Sequence, residues 1–242
     1  MSRIFLAALF VFACALSAAA QGADDYPKVE IYGGYSHARV ESNAGTNTFS
    51  FGGPPTTIEP CASSSAAVLG SDFQRFFCDR RGFHGFDASA TYNVGRYVGL
   101  KADVTGHFKT ERFFDAPETN EPRERLYQFL FGVQLKNNSR QARAKPFAHA
   151  LAGAAHYSDR NHEFAPGFDA VISDKTTSFA MKFGGGLDLR AGRHLDVRVI
   201  EVDFNPVFAR RRSLDVTGLP LTITLGGRTA RNFAFGAGLV FH

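Results

Sequence analysis

The stretch from Phe86 to Thr105, FDASATYNVGRYVGLKADVT, decides the fold. Taken in steps of two, it separates into an apolar row, Phe86, Ala88, Ala90 and Tyr92, and a polar row, Asp87, Ser89 and Thr91. After the turn Asn93-Val94-Gly95-Arg96 the pattern restarts, with Val98, Leu100, Ala102 and Val104 against Gly99, Lys101, Asp103 and Thr105. A period of two is the mark of a strand with two unlike faces. Two such strands joined by four residues read as an antiparallel hairpin.

Working outward, the same alternation recurs six more times. Val29, Ile31, Gly33 and Tyr35 stand against Glu30, Tyr32, Gly34 and Ser36; Tyr127, Phe129, Phe131 and Val133 stand against Gln128, Gly132 and Gln134. The fifth strand sets Phe147, Leu151 and Tyr157 against Ala148, Ala150, Ala152 and Ala154. The sixth sets Phe179, Met181, Phe183, Leu187 and Leu189 against Lys182, Gly184, Gly186 and Asp188. The seventh has Leu195, Val197 and Val199 against Asp196 and Arg198, then slips parity between Ile200 and Phe204. Without a bulge or an exit into water there, Glu201 and Asp203 would face the apolar side. The eighth has Phe233, Phe235, Ala237, Leu239 and Phe241 against Ala234, Gly236 and Gly238.

Composition agrees with many short strands. Of 242 residues, 25 are Phe, 24 Gly, 2 Met and none Trp, and 44% are hydrophobic, too apolar for a disordered chain. The connections run to roughly 41, 4, 15, 9, 18, 4 and 27 residues, alternating long and short. That is the pattern of an outer-membrane barrel with long outer loops, short periplasmic turns and both termini inside. The expected fold is therefore all-β, an eight-stranded antiparallel up-and-down transmembrane β-barrel. Closure follows from the apolar row facing hydrocarbon, where an unpaired N–H or C=O costs several kcal/mol. A soluble barrel with the apolar row inside would show the same alternation. Tyr35, Tyr92, Tyr97, Tyr127 and Tyr157 near strand ends, read as an interfacial girdle, favour the membrane form.

The amino end carries an export signal over residues 1–20: Arg3, the apolar run Ile4–Leu16, and Ala18-Ala19-Ala20 before Gln21. Residues 21–242 are then the barrel domain, in the bacterial outer membrane. Cleavage leaves Cys61 and Cys78, which export to an oxidising compartment marks as a structural disulfide.

The last strand, Asn232–His242 (NFAFGAGLVFH), looks like the carboxyl-terminal assembly signal of outer-membrane proteins, with Phe241 penultimate where Phe usually comes last. Together with Gly85-Phe86-Asp87-Ala88-Ser89, Pro146-Phe147-Ala148-His149 and Phe183-Gly184-Gly185-Gly186-Leu187-Asp188, it makes residues 28–242 resemble the small OmpA/OmpX-like barrels. That resemblance implies the outer-membrane assembly machinery, outer-membrane lipid and lipopolysaccharide as partners. Because the chain stops at the eighth strand, the peptidoglycan-binding domain that some of these barrels carry is expected to be missing.

Chemistry is sparse. Asp87, Lys101, Asp103, Gln128, Gln134, Lys182, Asp188, Asp196 and Arg198 fall on the inward row, as a mixed-sign polar network filling a lumen only wide enough for side chains. The alternative is a solute path. His156-Tyr157-Ser158-Asp159 has the residue types of a hydrolytic triad, but parity with Ala154 puts His156 inward, away from lipid substrate. His149 is read as outward and interfacial. No catalytic residue, cofactor site or metal site is expected, and the glycine pairs lack the Lys-Ser/Thr of a phosphate loop. Arg210-Arg211-Arg212, with Arg228 and Arg231, makes the last outer loop a candidate anion-binding segment; Arg75, Arg80 and Arg81 do the same for the first. Nucleic acid is disfavoured by location despite the basic balance of 27 Lys+Arg to 23 Asp+Glu.

The expected role is a non-enzymatic outer-membrane barrel, an envelope scaffold or surface-interaction protein acting through long outer loops on an unidentified extracellular ligand. Two alternatives stand beside it: a narrow porin-like solute channel, and a lipid-modifying enzyme.

Overall fold

The computed structural model describes residues 25–41, 47–50, 54–59, 61–62, 78–115, 118–165, 168–215 and 222–242. Residues 1–20, expected to be an export signal, and Arg75 lie outside the described residues.

Thirteen strands appear among them: β1 (Val29–Glu41), β2 (Asn47–Ser50), β3 (Thr56–Ile58), β4 (Arg80–Asn93), β5 (Val98–Thr110), β6 (Phe113–Asp115), β7 (Glu118–Lys136), β8 (Ala144–Ala165), β9 (Phe168–Arg190), β10 (Leu195–Ala209), β11 (Arg212–Asp215), β12 (Thr222–Leu225) and β13 (Arg228–Phe241). Eight long ones close into an all-antiparallel barrel in the order β5-β4-β1-β13-β10-β9-β8-β7, with β7 returning to β5. The first and last strands meet from Ile31↔Phe241 to Arg39↔Phe233, which removes the last open edge. Short turns at residues 94–97, 137–143 and 191–194 mark the periplasmic end.

The apolar row faces outward. Phe129, Phe131, Phe179, Phe235 and Phe241 are between 45% and 60% exposed. Lys101, Lys182, Asp188 and Asp196 on the opposite face are at most 1% exposed. A water-soluble barrel would reverse the two rows.

β8 departs from the expected parity. Phe147, Leu151 and Tyr157 point into the lumen, and Ala148 and Ala150 face out. The same row carries Lys145 and His149, both buried and partnered inside, so the charged residues dictate the face and the small alanines are left to the lipid. Tyr157 therefore leaves the girdle, His149 is internal, and His156 is outward. At the expected slip in β10, the register shifts between Arg198 and Glu201 against β13, and between Arg198 and Ile200 against β9. This bulge lets Val199 and Ile200 both face out while Glu201 and Asp203 return to the lumen.

Two expected outer loops are largely strand. β8 and β9 stay paired out to Ala165↔Phe168, and β7 accompanies β8 as far as Thr119↔Phe164. Beyond the barrel, β11-β12-β2-β3 form a separate four-stranded sheet built from the first and last outer connections. Cys61 and Cys78 are joined by a disulfide in the first of these.

Candidate functional site

The lumen is filled in layers. At the periplasmic end Lys136 Nζ lies 2.8 Å from Glu30 and 2.9 Å from Asp188, while Lys145 holds Asp196 at 2.7 Å. Arg198 takes Asp188 through Nε and Nη2 and Glu201 through Nη1 at 3.0 Å. Its guanidinium also lies 4.1 Å from the Tyr32 ring centroid and 4.0 Å from that of Phe147. Room for the Tyr32 ring comes from glycines: a Cβ on Gly34 would stand 2.4 Å from the Tyr32 hydroxyl, and one on Gly238 2.9 Å from its ring.

The next layer centres on Lys182, 2.7 Å from Asp103 and 3.0 Å from Asp87, and on Lys101, 3.3 Å from Glu201. His149 sits 3.0 Å from Asp203 and 3.6 Å from Glu201. His149, Glu201 and Asp203 offer three ligand atoms within 4.8 Å of one another. The Lys101 ammonium lies 3.3 Å from both His149 Nδ1 and Glu201 Oε1, so a cation already pairs with two of the three groups. Such burial of charge is tolerable only because every ion has a counter-ion close by.

Toward the outer end the inner row turns neutral. Gln128 bridges Thr105 at 3.1 Å and Asn205 at 2.6 Å, and Ser36 meets His107 at 2.9 Å. An apolar cluster of Ala38, Val40, Phe83, Leu126, Leu130, Leu151, Ala155, Ala180 and Ala234 packs beside and above these groups, with Leu130 opposite Asp103 and Leu151 opposite Lys182 in register. The sequence reading found the polar row but not this cluster; its signal was the shift along β1 from Glu30 and Ser36 to Ala38 and Val40. Above it a cavity of about 80 Å³ opens at the mouth, walled by Arg81, Glu124, Tyr157, Asn232 and Arg228 and floored by Leu126 and Ala155. Arg81 grips both Glu124 oxygens, and the Tyr157 hydroxyl donates to the same carboxylate. Asp159, one step further out, is pushed up to about 7 by burial and by the Glu124 charge.

Of the sequence-selected residues, Asp87, Lys101, Asp103, Lys182, Asp188 and Arg198 join one ion network. Gln128 lies in the neutral layer above, and Gln134 is buried without contact to Gln128. Glu30, Lys136, Lys145, His149, Glu201 and Asp203 were not selected; parity with Gln134 was the available signal for Lys136 and the polar row of β1 for Glu30, whereas the face expected for β8 placed Lys145 and His149 outward and the β10 bulge reverses the parity of Glu201 and Asp203. Arg210 and Arg211 are exposed, away from the lumen; Arg212 opens β11. His156 Nδ1 is 3.0 Å from Thr177 Oγ1, and Ser158 lies on its face while Asp159 lies on the other.

A closed barrel with an aromatic exterior and an ion-filled interior defines an outer-membrane β-barrel. The chain belongs to the family described as outer membrane protein beta-barrel domain, which matches residues 6–241. Among solved structures it is similar to Ail, the attachment invasion locus protein of Yersinia pestis, at 12% identity and TM-score 0.40, covering 88% of this chain and 99% of that one. Neisserial surface protein A gives 11% and 0.39, covering 91% and 99%; the outer-membrane protease OmpT of Escherichia coli gives 12% and 0.48, covering 88% and 95%. No curated protein matches.

Proposed function

We propose that the protein is a non-conducting, non-enzymatic barrel of the bacterial outer membrane whose work is done by its outer end. The observation that carries this reading is the doubly filled lumen: paired ions, with packed aliphatic side chains beside and above them. Eight strands leave space for side chains and no more. A hydrated solute would have to displace both, so the channel alternative is not favoured.

What remains available to partners is the four-stranded outer sheet, the β8–β9 hairpin and the mouth. Lipopolysaccharide around the barrel, the assembly machinery acting on β13 and an extracellular ligand at the outer sheet are the partners that fit. Hydrolysis of lipid is disfavoured because Asp159 faces away from His156 and Ser158, and Thr177 takes the imidazole nitrogen an acid would orient.

Trimming residues 42–79 and 211–227 to short turns tests the reading. The trimmed barrel is expected to keep its slow mobility in unheated gels and to lose binding of the full-length barrel on an extracellular-matrix and glycan array. Current steps from the wild-type protein in planar bilayers, or lipid A deacylated by wild type and spared by Ser158→Ala, would overturn it.

A further inference from the structure

Just beyond the lipid-facing aromatics, the outer face of β7, β8 and β9 carries cations and hydroxyls in rows fixed by strand register. Phe129, Ala154 and Phe179 form the last apolar row; the two phenylalanines are 57% and 51% exposed. The next row outward is Tyr127, His156 and Thr177, then Arg125, Ser158 and Lys175, then Arg123, Arg160 and Ser173. Arg123, Arg125, Arg160 and Lys175 are all exposed.

One feature is costly for the barrel alone, and a second leaves the charge open to a partner. Arg123 stands directly opposite Arg160, a like-charge cross-strand pair that destabilises a sheet. In addition, none of the four cations forms an ion pair among the described residues. The nearest outward acid, Glu121 in the following row, is held by Arg112 at 3.2 Å. Level with these rows, Glu124, Asp159 and Asp174 lie on the inner face instead.

We infer that this patch binds the phosphate groups of an outer-leaflet lipid. Paired guanidinium groups match phosphate oxygens in bidentate geometry, and Lys175 and Ser158 complete the row with an ammonium and a hydroxyl. The position selects a lipid over a soluble anion: the charges sit one row above the outermost Tyr127, whose neighbours Phe129 and Phe179 face acyl chains. A phosphate held by Arg125 and Lys175 leaves its acyl chains lying against those rings. The inference rests on the outer-membrane placement of the barrel and is independent of any ligand at the outer sheet.

The test uses the full-length barrel in phosphatidylcholine nanodiscs doped with bisphosphorylated lipid A, with lipid A retained per barrel measured by native mass spectrometry. Arg125→Gln/Arg160→Gln/Lys175→Gln is expected to reduce retention on the order of tenfold or more, since each cation near a membrane surface contributes a several-fold preference. Arg160→Lys should keep most of it, and the periplasmic control Arg190→Gln/Arg193→Gln all of it. Unheated gel mobility monitors folding, so a misassembled variant is recognised and the single substitutions Arg125→Gln and Lys175→Gln are read in its place. Equal retention by the triple variant, equal retention of dephosphorylated lipid A, or binding of soluble heparin without lipid A enrichment would each overturn the proposal.

Discussion

Arg198 holds Asp188 in a two-point grip, Nε to Oδ1 at 2.8 Å and Nη2 to Oδ2 at 3.2 Å, with both side chains at most 2% exposed. The pair spans the hairpin between β9 and β10, ahead of the bulge that returns Glu201 to the same guanidinium. Arg198→Met removes the positive partner while leaving two buried carboxylates. Breaking a buried pair from one side costs roughly 3–5 kcal/mol. The lower end is expected, because Lys136 still reaches Asp188 and Lys101 still reaches Glu201. The check is the temperature at which the compact gel band of the variant converts to the unfolded one, which should fall well below that of wild type.

The β9–β10 network also indicates what a sequence alone can carry. In β1, β4, β5, β7 and β9 the two rows differ in polarity at most steps, so facing could be read residue by residue. β8 is different: its rows are large apolar against alanine, and size suggested the wrong face. Lys145 and His149 were the deciding residues, because a charge is far costlier against lipid than an alanine is unfavourable there. The outward extensions of β7, β8 and β9 were read as loop because beyond the membrane there is no lipid to impose alternation. The apolar lumen cluster went unread because its members come from several strands and meet only after closure.

Gly34 offers a steric test of the layer beneath. A Cβ there would fall 2.4 Å from both the Ala237 carbonyl oxygen and the Tyr32 hydroxyl, so backbone as well as side chain must give way at the β1–β13 seam. Gly34→Ala should lower the yield of folded barrel sharply. Adding Tyr32→Phe removes the hydroxyl contact but leaves the ring Cζ 2.9 Å from the added Cβ and the carbonyl contact in place, so it should restore little folding. Refolding yield in detergent measures both.

Asp159 lies level with Arg123, Arg160 and Lys175, beyond the lipid band. Glu124 on β7 and Asp174 on β9 oppose its charge, and Arg81 on β4 favours it, the sum leaving it near 7. Its folded value is above that of an unfolded carboxyl, so the folded mouth keeps a proton that the unfolded chain releases as pH rises past about 4. Its contribution is complete below that value and lost as pH climbs through 7. Asp159→Asn should therefore flatten the difference in thermal conversion between pH 5.5 and pH 8.5, with wild type losing more stability at the alkaline end.

The disulfide is separable from the barrel. Cys61→Ser/Cys78→Ser removes a cross-link whose loop-closure contribution is roughly 3 kcal/mol in the chain-entropy model. Both residues belong to the first outer connection and to no barrel strand. Heat-dependent gel mobility should be unchanged, while limited proteolysis should cut between residues 42 and 79 faster than in wild type.

The four-stranded outer sheet interleaves the two ends of the chain: β2 and β3 follow the first barrel strand, β11 and β12 precede the last, and β12 pairs with β2 from Thr222↔Ser50 to Leu225↔Asn47. Cylinder closure made neighbours of segments some 170 residues apart. Those surface regions share a hydrogen-bonded ladder, so neither can drift, lengthen or accept a grafted epitope without the other accommodating it. A substitution in either segment is thus felt at the ladder of the other.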